Sequence, residues 1–209
     1  MAQISNSILK NGKGSIGGMV IYTVEGKTYA RSRPDEVSDP KTPAQLAQRR
    51  RMVLVMHFLR PFKKLLKFTF PGEAGKRSGY FAAKSWNLKH GLKGTYPGIL
   101  IHKEQALLCR GPVPLPTGVQ VTRQTKGLFF IWSPEVHDGA GAADDTLVVI
   151  AGLTSAYESD YQFTGVKRRK GLYLWQPDLP MEGEALNVWV AFRRSDQLVM
   201  SDSRYLGEV

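Results

Sequence analysis

The chain has 209 residues, 42% of them hydrophobic, with one cysteine and a formal net charge of +11. That is enough apolar material for a packed core, and a single thiol excludes an internal disulfide framework and a multi-cysteine zinc site. The charge is uneven, since residues 1–111 carry 20 Lys+Arg against 6 Asp+Glu and residues 112–209 carry 9 against 12, halves of +14 and −3. Clustered positive charge attracts polyanions, so nucleic acid, anionic lipid and acidic protein surfaces all qualify as partners.

Met1-Ala2-Gln3-Ile4-Ser5-Asn6-Ser7 lacks the basic-then-apolar pattern of a secretory signal. No stretch approaches the roughly 20 apolar residues that span a bilayer. The expected location is the cytoplasm or the inside of an assembled particle.

Residues 12–33 mix turn chemistry with β formers: Gly17-Gly18, a run over 19–24, Glu25-Gly26-Lys27, then 28–31. This predicts a hairpin turning at Gly26, whose edge, if open, could add to a neighbour's sheet. The segment Gly12-Lys13-Gly14-Ser15-Ile16-Gly17 spells G-x-G-x-x-G. A dinucleotide site needs a strand before it and a helix after it, and a hairpin comes next here, so a glycine-rich entry to a strand is the better reading.

Pro34 and Pro40 end the hairpin, and Thr42, Pro43 and Gln45 then fit the N-cap, N1 and N3 positions of a helix. That helix runs by composition to about residue 68 and places Leu46, Val53, Met56 and Leu59 on one face, with Arg49, Arg50 and Arg51 interrupting it. Three successive arginines fan around most of a helix, so they cannot share one face. Pro61 should kink or divide the helix. After a break over 71–79, residues 80–92 predict a second helix with Phe81, Ser85, Leu88 and Leu92 at helical spacing, ended by Gly91 or Gly94.

Residues 96–111 turn extended, and Pro112, Pro114 and Pro116 mark the expected domain boundary. Beyond them lie seven short β-rich runs, over 118–125, 128–133, 146–151, 157–163, 172–176, 186–192 and 198–205. In the sixth, Leu186, Val188, Val190 and Phe192 alternate with Asn187, Trp189, Ala191 and Arg193, while Trp132 and Trp175 suit a core. The expected fold is therefore α+β: an N-terminal β hairpin plus helices over 1–111, then a seven-stranded immunoglobulin or fibronectin type III-like β-sandwich over 112–209.

The sequence holds no G-x-S-x-G, Walker loop or C-x-x-C, and His57, His90, His102 and His137 lack metal-ligand spacing. The pair Asp144-Asp145 reads as a loop closure. The expectation is a non-enzyme without cofactor or metal. The candidate contacts to a polyanion or protein partner are Arg31 and Arg33 on the hairpin, Arg49, Arg50 and Arg51 on the helix, and Lys63, Lys64 and Lys67 after Pro61, joined by Lys167, Arg168, Arg169 and Lys170 at a turn between two strands. A solvated basic helix surface and an exposed turn tip are the plain alternatives. Tyr22, Tyr29, Phe58, Phe62, Phe68 and Phe70 offer stacking surfaces or core. An enzyme would need a pocket gathering groups such as His90, His102 or Asp145, and carbohydrate binding would need Tyr173, Trp175 and Trp189 exposed on one face.

A resemblance rests on Gly26-Lys27-Thr28-Tyr29 with Arg31-Ser32-Arg33-Pro34, on Pro40-Lys41-Thr42-Pro43-Ala44-Gln45-Leu46-Ala47-Gln48-Arg49, on Gly94-Thr95-Tyr96-Pro97, on Arg110-Gly111-Pro112 and on Ser203-Arg204-Tyr205-Leu206-Gly207. Over nearly its whole length the chain resembles an uncharacterised family of proteins of similar length, common in Bacteroidota, which is classed as a domain of unknown function. The P-x-T-x-A-Q-x-x-x-R core also resembles segments of phage-associated proteins. The second resemblance raises a virion or assembly role, while the family supplies no catalytic residue and leaves the activity open. The charge asymmetry without a catalytic constellation points to a non-enzymatic binding or assembly protein, with a homo-oligomer as one outcome.

Overall fold

The computed structural model describes residues 2–5, 9, 12–34, 39–71, 78–136, 141–195 and 199–209. They belong to two compact units, residues 1–42 and 43–209. His137 and the start of the seventh expected strand at 198 lie outside the described residues.

In the first unit β1 (Ala2–Ile4), β2 (Gly14–Ile16), β3 (Met19–Val24) and β4 (Lys27–Ser32) form an antiparallel sheet in the order β1-β4-β3-β2. The expected hairpin is its centre. Glu25 and Gly26 have φ of 50° and 75°, the pair of positive values that a type I′ turn needs to match the twist of its strands. Both hairpin strands are flanked over half their length, β4 by β1 at residues 28–30 and β3 by β2 at residues 19–21, so the sheet edge belongs to two outer strands of three residues each. Strand β2 is built from the G-x-G-x-x-G segment and runs into β3, which removes the strand–turn–helix setting of a dinucleotide site.

The second unit opens with α1 (Pro43–Leu59), which starts at the proline that the capping pattern marks and stops two residues before Pro61. Short α2 (Leu66–Thr69) and then α3 (Gly79–His90) come next. Gly79 allows α3 to press against α2, because a methyl group there would overlap the Leu66 carbonyl. At the far end, Asn87 donates to the Ala83 and Leu107 carbonyls at 2.9 Å and accepts from Leu107 N–H at 3.0 Å, tying the buried segment 106–109 to the helix. Two-residue strands β5 (Leu92–Lys93) and β6 (Leu100–Ile101) pair behind α3.

Seven strands then match the seven β-rich runs in place, the last beginning later than expected. They are β7 (Gln120–Gln124), β8 (Gly127–Ile131), β9 (Thr146–Leu153), β10 (Ser159–Lys167), β11 (Leu172–Trp175), β12 (Leu186–Arg193) and β13 (Arg204–Glu208). They divide into a three-stranded sheet, β11-β8-β7, and a four-stranded sheet, β10-β9-β12-β13.

Alternation along β9 and β12 sorts their side chains into two cores. Leu147, Val149, Ala151, Leu186, Val188, Val190 and Phe192 meet Leu128, Phe130 and Trp175 of the three-stranded sheet. Val148, Ile150, Trp189 and Ala191 meet Val55, Leu59, Leu66 and Ala83 of the helices. The four-stranded sheet is thus covered on both faces, which is why its two central strands read as almost unbroken apolar runs. The boundary expected at residues 112–116 therefore falls inside one unit: splitting there would strip the helices from Val148, Ile150, Trp189 and Ala191.

The buried stripe of α1 also differs from expectation. Val55 and Leu59 are fully buried, whereas Val53 and Met56 are 45% and 44% exposed. The sequence offers apolar residues on both sides of this helix, and the sheet takes the Val55 side.

Candidate polyanion-binding surface

The fold relocates the positive charge. Residues 1–42 hold 6 Lys+Arg against 4 Asp+Glu, and residues 43–111 hold 14 against 2. The helical layer over one face of the four-stranded sheet is therefore close to purely basic, while residues 112–209, at −3, supply both sheets beneath it.

On α1, Arg49 and Arg50 are exposed. Arg51 is not part of the same surface: its Nη2 donates to the Leu88 carbonyl at 3.0 Å, so it serves the α1–α3 packing and the open end of α3. Lys63, Lys64 and Lys67 are exposed on the turn and on α2. Lys63 lies 6.0 Å from the Tyr80 ring, and Lys63 and Lys64 border a groove shared with Glu158, Asp160 and Asp178, which temper their field. Two further cations that sequence reasoning passed over sit on rings, Arg60 at 5.3 Å from Tyr157 and Lys84 at 4.9 Å from Phe81.

Arg31 and Arg33 lie in the first unit. Residues 27, 29 and 31 share one face of β4, and Tyr22 stands opposite Tyr29 with ring centroids 5.8 Å apart and planes at 26°. Lys27, Arg31 and two stacked tyrosines thus occupy one sheet face, the combination that single-stranded nucleic-acid binders use. Of the other rings, Phe62 and Phe70 are core and Phe68 is 58% exposed.

The cluster at 167–170 needs correction. Arg168 has no exposed surface; its Nη2 sits 3.2 Å from Asp145 Oδ2 and 2.5 Å from the Pro114 carbonyl, and its guanidinium carbon is 4.8 Å from the Phe192 ring centroid. Burial pulls this guanidinium below its usual range, and Asp145 opposes that pull. Its own carbonyl accepts from Trp132 Nε1 at 2.6 Å. Lys167 and Arg169 reach Asp144 at 3.1 and 3.4 Å, and Lys167 holds that carboxyl below its usual range. What reads in sequence as a tip of four free cations is a short 3₁₀ turn, Arg168–Lys170, pinned by the Asp144-Asp145 pair. Only Lys170 of the four has no carboxylate of this pair beside it.

Trp175 and Trp189 are 3% and 2% exposed and belong to different cores, so the rings proposed for a carbohydrate do not share a surface. His102 faces Glu104 at 3.4 Å, Asp145 is occupied by Arg168, and His90 has Trp86 as its neighbour; the fold does not gather the three. His57 accepts from or donates to the Tyr157 hydroxyl at 2.7 Å beside an apolar cleft of about 310 Å³ over Phe58, Phe62 and Trp189. Cys109 is fully buried and its thiol is pushed up to about 12 by that burial, which leaves no thiolate for chemistry. Among the described residues no three His, Cys, Asp or Glu side chains are grouped as metal ligands, and no helix is long and apolar enough to cross a membrane.

A hollow of about 300 Å³ on α3 joins Ser85 and His90 to three residues that the sequence reading did not single out as candidates, Trp86, Lys89 and Arg110, the last arriving from the segment after β6. The spacing of 85, 86, 89 and 90 puts them on one helix face, which the sequence could have flagged; Arg110 could not be placed without the fold.

No curated protein and no solved structure matches the chain. A family model does, over residues 10–207, nearly the whole of it. The chain belongs to the family of unknown function DUF6266.

Proposed function

We propose that this is a non-enzymatic binding or assembly protein whose basic helical layer takes an anionic partner, nucleic acid being the polymer whose charge density best fits it. The observation that carries the reading is the excess of 12 basic over 1 acidic residue among the described residues of 43–111. A polyanion would be drawn to that side of the second unit and held there by counterion release. Arg60, Lys63 and Lys84 lie beside aromatic rings, so part of the surface offers stacking as well as charge. Such a protein meets its partner in a cytoplasm or within an assembled particle.

The two sheets act as the scaffold. Of seven strands in sequence order, the first, second and fifth form one sheet and the third, fourth, sixth and seventh form the other. That allotment supports a fibronectin type III-like sandwich that carries the helices on its four-stranded face.

The test is fluorescence anisotropy with a short thymidine oligonucleotide at two salt concentrations, using the whole chain and its Arg49→Ala/Arg50→Ala variant. Affinity should fall with salt at a log–log slope of roughly 0.7 per phosphate engaged, and the variant should bind more weakly with a shallower slope. Arg51 is left in place because it holds α3. Absence of binding at low salt overturns the nucleic-acid reading. A second reading, contact with another subunit, draws on the exposed Val53 and Met56 of α1, between Arg49 and the Arg60 that follows the helix. Light scattering that finds only monomer at high concentration removes it.

A further inference from the structure

The hollow on α3 is more specific than a basic surface; its assignment rests on the proposed basic layer and names one chemical group within it. The Arg110 guanidinium lies 3.9 Å from the centroid of the Trp86 ring, and the His90 ring centroid lies 4.2 Å from it. A cation held against an indole is fixed in place, and a guanidinium lying on a ring keeps its N–H edges for in-plane acceptors. Lys89 and the Ser85 hydroxyl complete the wall. Among the described residues no carboxylate lines the hollow, and neither Arg110 nor Lys89 has an acidic partner within ion-pair distance. Asp202, which accepts from Gly111 N–H at 3.1 Å, is not part of the lining. The hollow thus gathers two cations and two further donors with no described acidic partner, a set that a tetrahedral oxyanion matches.

We infer that this hollow is a binding site for one phosphate group, taken by the Arg110 fork and the Lys89 ammonium with Ser85 and His90 as further donors. Charge-assisted bonds of this kind are about twice as strong as neutral ones, and guanidinium matches phosphate geometry. The hollow is larger than the anion and leaves room for the group to which the phosphate is attached. The source is free phosphate, a phosphate ester or a nucleic-acid backbone.

The experiment is titration of the whole ¹⁵N-labelled chain with inorganic phosphate, followed by its amide and indole resonances, with the thymidine oligonucleotide as a second arm. Saturable shifts confined to the Trp86 indole, residues 89–91 and residues 110–111 are expected. Lys89→Gln and Arg110→Gln should each weaken binding by about tenfold or more, and the exposed Lys89 change should leave the unfolding midpoint where it was. Shifts that fail to saturate, that spread over the whole helical layer, or that survive both substitutions overturn the site. The oligonucleotide arm separates the sources: loss of its binding in the Lys89→Gln chain identifies backbone phosphate, and retention assigns the hollow to a small phosphorylated molecule. Oligonucleotide binding that persists while phosphate leaves these residues unmoved overturns the hollow and keeps the basic layer.

Discussion

The two units achieve stability in opposite ways. In the sheet of residues 1–42, Ile21 and Thr28 are the only buried side chains among the described residues, so its order rests on the antiparallel ladder, a type I′ turn and cross-strand pairs such as Tyr22–Tyr29. In the unit of residues 43–209 the four-stranded sheet is packed on both faces, by the helices in one core and by the three-stranded sheet in the other. An isolated small sheet with so little burial is marginal, whereas the double core is cooperative.

The contrast is broken most severely by cutting the second unit in two. A fragment of residues 112–209 keeps both sheets and loses the helices, leaving Val148, Ile150, Trp189 and Ala191 in water. Each fully buried apolar side chain is worth about 1.5–3 kcal/mol, so this fragment should lack a cooperative thermal transition while residues 43–209 retain one, as calorimetry would read. A folded 112–209 would restore the boundary at the prolines.

Next comes the buried ion pair. Asp145→Ala leaves Arg168 charged and uncompensated, a loss of about 3–5 kcal/mol by denaturant unfolding. The double change Arg168→Met/Asp145→Leu should recover most of it. If the single change costs nothing, the turn is a surface feature after all.

A smaller effect separates the units directly. Gly26→Ala forces a side chain into φ 75° and should destabilise the first sheet by about 1 kcal/mol. Amide exchange should speed up in β3 and β4 and stay constant in β9 and β12; equal acceleration everywhere would mean that the units unfold together.

The smallest effect is acidic. Asp144 has its carboxyl lowered by Lys167, so its contribution is present above the unfolded carboxylate range and is lost as pH falls through the lowered folded value. The site is exposed, and Asp144→Asn should only slightly flatten the acid limb of a stability–pH curve. An unchanged curve would mean that the pair with Lys167 is screened out.

Local chemistry was legible in the sequence where it is self-contained. The turn at Gly26, the helix start at Pro43, its division at Pro61 and the seven β-rich runs each depend on a few adjacent residues. The family resemblance was legible on the same residues. What depended on distant partners was not. Arg168 looks like a loop cation until Asp145, 23 residues earlier, is brought beside it. The choice of Val55 over Val53 in α1 depends on which side meets β9 and β12. The shared core did leave a trace, since Leu147-Val148-Val149-Ile150-Ala151 is too continuously apolar for a sheet with one wet face, and that run argues against a boundary at the prolines. Of the candidate surface, the basic composition was legible and the pairing that cancels part of it was not. The hollow escaped because Arg110 joins Lys89 and His90 only through the fold.

Cys109 sits at the seam between helices and sheet, with Ser203 N–H donating to its carbonyl at 3.0 Å and its side chain sealed in the core that both layers share. A thiol reagent cannot reach it unless that seam parts. Its labelling rate is therefore a clock for how often the basic layer lifts from its scaffold: a reagent-independent rate times the opening itself, and a rate proportional to reagent gives the free energy of the open state. Since this is the sole thiol of the chain, the reading needs no mutation to isolate it.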